Sequence, residues 1–169
     1  IQKEETSESF GIKGFSPFYD LRFDFVSGFT VESLHCVYLG VNKLVLKAML
    51  NSFYRHQKFY IGEPEKLQVL NKRMKSLKPP STILRQPRPF SEIADWKGSE
   101  FECFLIYYSS LVFDQILEKS YLNHYLKLSK AVYMLTRNFL TIEKLNEAEL
   151  LLQDFVTNFY SLYPKELHR

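Results

Sequence analysis

Two short stretches of the chain carry residue types that could do acid–base or metal chemistry. In the first, Glu32 and His35 stand three residues apart at the start of an apolar helical run, so their side chains share one helix face. In the second, Glu100 places a carboxylate in the first turn of another apolar run, within Trp96-Lys-Gly-Ser-Glu100. An acid and an imidazole on one element and an acid on another could build a metal-dependent phosphoryl-transfer site. The plain alternative is two acids that begin helices, where the helix dipole favours negative charge, and one partly buried histidine.

Positive charge is concentrated in one segment. Between residues 66 and 89 the chain has seven Lys and Arg residues and no acid. A basic helix face that continues into a proline-stiffened basic loop could follow a phosphate backbone, and the alternative is a solvated helix face with an exposed loop. The candidate nucleic-acid contacts are Lys66, Lys72, Arg73, Lys75, Lys78, Arg85 and Arg88.

The elements that must position these residues are mostly helical. Apolar spacing predicts a bundle of about five helices, over 30–54, 64–77, 99–117, 119–139 and 141–162. Thr30 is the expected cap of the first helix, and Ser99 with Glu102 has the spacing of a capping box for the third. Only residues 21–26 alternate apolar and polar side chains, which predicts one short N-terminal strand. The third helix is apolar on nearly all faces, so we expect it to be central.

Composition limits the class of protein. A chain of 169 residues with 46% hydrophobic residues has the length of one domain and ample material for a core. We expect a linker or disorder over 1–10 and a single helical domain over 11–169. The chain begins at Ile1 without a Met, so we expect a piece of a longer protein. Cys36 and Cys103 both stand in apolar helical patterns, which favours free thiols in the nucleus or cytoplasm. Apolar runs are too short for a membrane span, and we expect no membrane partner.

Several blocks of the sequence resemble those of CACTA-type (En/Spm-like) DNA transposases. His35-Cys-Val-Tyr-Leu-Gly-Val, with its preceding acid, is similar to the family's DxxHCVxLGV segment. Residues 11–16 resemble GxKGxS, 60–62 resemble YIG, 78–88 resemble RPP…RLPR, 96–100 resemble WKASE, and 147–155 resemble AELLLxxFV. These blocks occur in the family's order and cover nearly the whole chain from residue 11 to 163.

The resemblance implies the C-terminal part of an RNase H-like nuclease core that is interrupted by a helical insertion, here over 60–97. Such enzymes cut and join DNA with two Mg²⁺ ions held by three carboxylates. By this resemblance Glu100 is the third carboxylate and a metal ligand, and Glu32 with His35 is the acid-x-x-His element near the active site. The basic segment would then lie in the insertion, where contact with DNA is expected.

The chain departs from the family pattern at its active site. The first two catalytic aspartates belong to strands upstream of this segment, and one carboxylate cannot hold two metal ions. Glu32 also replaces the usual Asp, and Gly98 replaces Ala. We therefore expect no catalysis and no bound cofactor for this chain alone.

Three functions follow from the sequence. The first is a transposase-derived fragment that is related to cut-and-paste DNA recombination and binds the DNA backbone. The second is a full-length active enzyme that lacks its N-terminal half here, and the expected partners besides DNA are that missing half or a second copy of the chain. The third is a host-retained helical protein-interaction module with no nucleic-acid role, which would show an exposed apolar patch on the helices over 119–162.

Overall fold

The computed structural model describes residues 24, 28, 32–81, 83 and 85–168. The predicted linker over 1–10 and the cap Thr30 lie outside these residues, and so does the predicted strand over 21–26 apart from Asp24. The helices described below all belong to one compact unit, Ser33–His168.

This unit is helical, which confirms the mainly α class. Its described residues form six α-helices in five continuous helical runs, as many as the apolar spacing predicts. A π-helical segment, Leu34–Asn42, leads into α1 (Lys43–Leu50). A second, Phe104–Tyr108, joins α3 (Gly98–Cys103) to α4 (Ser109–Phe113). Short 3₁₀ turns at Ser52–Tyr54, Phe90–Asp95 and Lys165–Leu167 complete the described regular structure. The helices are α1 (Lys43–Leu50), α2 (Pro64–Ser76), α3 (Gly98–Cys103), α4 (Ser109–Phe113), α5 (Lys119–Leu135) and α6 (Ile142–Leu162).

Local chemistry explains where the helices begin and end. Pro64 occupies the first position of α2, where its missing N–H costs nothing. The first run ends at Leu50 instead of Tyr54, because Asn51 is extended and its side chain accepts the Phe53 N–H to begin a separate turn (3.0 Å). The run through α3 and α4 ends before residue 117, since Asp114 leaves the helical region and Gln115 has a φ of 57°.

The run from α3 to α4 is central, as its apolar faces predict. Phe104 lies at its middle with no exposed surface. The Phe104 ring centroid is 5.2 Å from that of Phe113, 5.3 Å from Phe90 and 5.6 Å from Trp96. Burying aromatic rings of this size contributes a large share of the hydrophobic stabilisation of a core.

Helices α5 and α6 form an antiparallel pair that packs on this core. The Tyr121 hydroxyl donates to the Leu162 carbonyl (3.0 Å), His124 Nε2 bonds the Phe155 carbonyl (2.8 Å), and Lys130 pairs with Glu147. The partner number falls as the α5 number rises, so the two helices run in opposite directions.

Candidate functional site

Glu100 is fully buried at the start of α3 and accepts four hydrogen bonds. Its Oε1 accepts from the Arg88 Nε (2.8 Å) and the Arg88 backbone N–H (3.2 Å). Its Oε2 accepts from the Arg88 Nη2 (2.9 Å) and from the Lys97 backbone N–H (2.8 Å). The bond from Lys97 satisfies one of the N–H groups that a helix start leaves unpaired. The predicted capping box of Ser99 and Glu102 is wrong, because the helix begins at Gly98 and Ser99 is already inside it.

The Glu100 carboxylate is held in its ionised form. Burial alone would raise its pKa, but the hydrogen bonds from the Arg88 side chain and from the Lys97 and Arg88 backbones outweigh that effect. The pKa of Glu100 is therefore lowered. The bidentate Arg88–Glu100 pair connects α3 to the end of the proline-rich loop, residues 78–89, and this role is structural whatever else the carboxylate does.

The helix that carries His35 packs against the helix that carries Glu100. A Cβ placed on Gly98 would lie 2.0 Å from Leu34 Cδ1, so these two residues are in close contact. Farther along, the Tyr38 hydroxyl donates to Glu102 Oε1 (3.2 Å). The exposed His35 therefore belongs to a helix that runs along the one that carries Glu100. The contact with Leu34 also gives a packing reason for a glycine at position 98.

The buried side-chain amide of Asn42 links these helices to α5 by hydrogen bonds. The Asn42 Nδ2 donates to the Phe101 carbonyl (2.9 Å), and the Tyr125 hydroxyl donates to Asn42 Oδ1. Asn42 and Tyr125 have no exposed surface. Sequence reasoning missed this link. The sequence signal for this link was an Asn on the apolar face of the first helix. A buried position tolerates an Asn only when its side-chain amide is hydrogen-bonded.

The donor atoms in the described residues do not fit a two-metal site. No three His, Cys, Asp or Glu side chains come together in that part of the chain. Both Glu100 oxygens already accept from Arg88, and Glu32 is exposed and precedes the first helical residue, Ser33, instead of lying in the first turn. We therefore derive no chemical step through a metal. The catalytic roles of Glu100, Glu32 and His35 stay predictions, as does the metal role of Glu100.

Three of the seven candidate nucleic-acid contacts bind the protein itself. Lys66 Nζ donates to the Tyr60 carbonyl (3.1 Å) and pairs with Glu63. Arg73 Nη1 donates to carbonyls at the end of α4, including that of Val112 (3.0 Å), where a positive charge complements the helix dipole. Arg88 holds Glu100, as described above.

The other four, Lys72, Lys75, Lys78 and Arg85, are exposed. Among the described residues none of them has an ion-pair partner within 4.0 Å. The loop that carries two of them leaves the end of α2 and returns to the same helix, where Asn71 Oδ1 accepts the Phe90 N–H (2.8 Å). The basic loop therefore begins and ends at the basic helix, and we call the exposed cations of the two together, Lys72, Lys75, Lys78 and Arg85, the cationic region.

Helix α6 leaves large apolar side chains exposed. Ile142, Val156 and Tyr160 are 69%, 53% and 63% exposed, and only Ala148 and Phe155 of the helix are buried. At 100° per residue, the three exposed side chains lie within about 40° of one another around the helix. Exposed Glu149 and Gln153 lie on the same side of the helix between them, so α6 exposes apolar side chains that alternate with polar ones.

Comparisons with protein-family models, with curated proteins and with solved structures found no match. None of the helices in the described part of the chain is both long and apolar enough to cross a membrane. Cys36 and Cys103 are free thiols, the first exposed and the second buried.

Proposed function

We propose that this chain is a transposase-derived fragment that binds the backbone of duplex DNA through the cationic region and does not cut DNA by itself. One observation carries the proposal. Lys72, Lys75, Lys78 and Arg85 are exposed and unneutralised by any described acid, whereas the remaining cations of the segment are engaged within the fold. Cations that are free of internal partners can replace the counterions of phosphates, and this exchange drives non-specific DNA binding.

Descent from an RNase H-like core is part of the same proposal. The close contact of Leu34 with Gly98 supports it, because it places the helix of His35 beside the helix of Glu100, as two parts of one ancestral site require. The test is the coding sequence upstream of Ile1, which should specify two aspartates on predicted strands. An upstream region without them would refute the descent.

The proposed contacts recognise the charge of the DNA backbone and do not discriminate between base sequences. Lysine ammonium groups are flexible point charges that suit phosphates, and phosphate contacts position a protein on DNA without specifying a sequence. If the four exposed cations each replace one counterion, the slope of log K against log salt is about −3.6. A rise from about 50 to 200 mM salt should then weaken binding roughly 150-fold.

The experiment measures fluorescence anisotropy of a labelled random-sequence duplex with the wild type and with K72Q/K75Q/K78Q. Arg73 is left intact, because its guanidinium supports the end of α4. A matched control, K47Q/K119Q/K144Q, removes three exposed lysines on other helices and lowers the formal net charge from +3 by the same amount. The proposal expects the first variant to lose affinity and the control to keep most of it. Equal losses in both variants, or no binding by the wild type, would refute it.

A protein-interaction module is the second candidate function, and the exposed apolar side chains Ile142, Val156 and Tyr160 of α6 favour it. Surfaces of this kind often mark protein contacts. V156K/Y160K places two charges on that side of α6, and neither of the two replaced side chains is buried. A module that uses this face should self-associate or bind its partner less well after the change, as measured by sedimentation velocity. Sedimentation of a monomer in both proteins, with DNA binding intact, would favour the first candidate.

A further inference from the structure

A cavity of about 330 Å³ lies where the proline-rich loop meets the start of α3. Its described lining residues are Arg85, Gln86, Arg88, Lys97 and Glu100. The volume is at the small end of ligand pockets, which span about 300–1,000 Å³. It therefore suits a compact group rather than a large cofactor.

The lining has an excess of positive charge. Three cations and one carboxylate line the cavity, and the carboxylate of Glu100 is already paired with Arg88. The charges of Arg85 and Lys97 remain, both on exposed side chains, and Gln86 adds an amide donor. Exposed acids on the adjoining turn, Glu92 and Asp95, are not among the lining residues, but their negative charges interact with that of Arg88.

Arg88 is fixed in a geometry that suits an anion. Glu100 takes its Nε and Nη2, and the Asp95 carbonyl also accepts from Nη2. Among the described residues, nothing accepts from Nη1, and 36% of the side chain stays exposed. A guanidinium that is already oriented loses less freedom when it donates its remaining N–H groups to a phosphate.

We propose that this cavity binds one phosphate group of a nucleic-acid backbone, through Arg85, Lys97, Gln86 and the remaining N–H groups of Arg88. The inference rests on the proposed function, and it assigns a defined phosphate subsite next to the more diffuse charge of α2. Glu100 acts there as a positioning residue for Arg88. Free phosphate has the same chemistry, so the test must separate the two sources.

The test compares the wild type with R85Q/K97Q, which removes two cavity charges and leaves the Arg88–Glu100 pair and the Lys97 backbone bond in place. The control is K119Q/K144Q, with two exposed lysines far along the chain from the cavity residues. Inorganic phosphate is titrated into each ¹⁵N-labelled protein, and shifts of the Gln86 and Lys97 amides and of Arg88 Nε are followed. Each protein is then titrated with the labelled duplex over a range of salt.

The proposal expects phosphate shifts in the wild type and the control but not in R85Q/K97Q, and a salt slope that is smaller by about 0.9 in that variant, because one phosphate contact is lost. Wild-type DNA binding with no phosphate shifts and an unchanged slope in R85Q/K97Q would overturn the subsite and leave the proposed function standing. Phosphate shifts without any DNA binding would overturn the nucleic-acid source and the proposed function together.

Discussion

Replacing Glu100 by Gln should destabilise the protein, because the buried carboxylate closes the start of α3 and neutralises Arg88. The substitution keeps the shape of the side chain but turns an NH₂ group towards N–H donors that now bond a carboxylate oxygen. The ion pair with Arg88 is lost as well, because the amide carries no charge. Of the four hydrogen bonds that position 100 now accepts, the variant would keep only those that its one amide oxygen can accept.

The magnitude follows from the surroundings of Glu100. Breaking a buried ion pair costs about 3–5 kcal/mol when the charge left behind cannot be solvated. Here the charge left behind belongs to Arg88, whose side chain is 36% exposed and can reach water. We therefore expect the loss of Glu100 to cost about 3 kcal/mol, the lower end of that range. For a chain of this size such a loss lowers Tm by roughly 6–12 °C.

The effect should depend on pH in a defined direction. Because the folded-state pKa of Glu100 is below its ordinary value of 4.5, its contribution is complete above pH 4.5 and is lost as the pH falls through the folded pKa. The difference in unfolding free energy between wild type and E100Q should thus narrow in acid.

The same substitution at Glu65 is a matched control, since Glu65 also lies in the first turn of a helix but is exposed. Urea unfolding of all three proteins measures the effect, and E100Q within about 0.5 kcal/mol of E65Q would refute the reasoning.

Three further predictions concern buried groups. Tyr125→Phe leaves the buried Asn42 Oδ1 without its donor and should reduce the free energy of unfolding by about 1–3 kcal/mol; an unchanged urea midpoint would contradict this. Burial lowers the pKa of His124, so stability should fall as the pH drops below 6.5, by at most about 1.4 kcal/mol per pH unit; a His124→Gln variant with the same pH profile as wild type would show that another group is responsible. Burial raises the pKa of Cys103 to about 11, so Ellman's reagent should label the exposed Cys36 quickly and Cys103 only on unfolding. Two rapidly reacting thiols in the native protein would oppose that assignment.

The helices could be predicted from the sequence because their signals are local. Apolar spacing and Pro64 place the helical runs within a few residues of where they lie. The two π-helical segments could not be predicted this way, since their register is set by packing between helices. The Arg88–Glu100 pair was missed for a similar reason. Its partners are twelve residues apart, and the loop between them carries no periodic pattern that would bring a basic residue back onto α3.

The same limit applies to the cationic region. Sequence alone cannot separate a cation that faces solvent from one that holds a distant carbonyl, and Arg73 next to Lys72 shows the difference. The charge pattern of the sequence therefore identifies a basic segment and leaves open which of its charges face solvent. Contacts in the fold reduce seven candidates to four exposed ones, with Arg88 as a partly exposed fifth cation in the cavity.

The salt dependence of duplex binding by K72Q/K75Q/K78Q tests the central claim most directly. Each lost phosphate contact reduces the slope of log K against log salt by about 0.9, so the three substitutions should reduce it by about 2.7 relative to wild type. The control K47Q/K119Q/K144Q should retain the wild-type slope. A slope that is the same in all three proteins would contradict DNA binding through the cationic region.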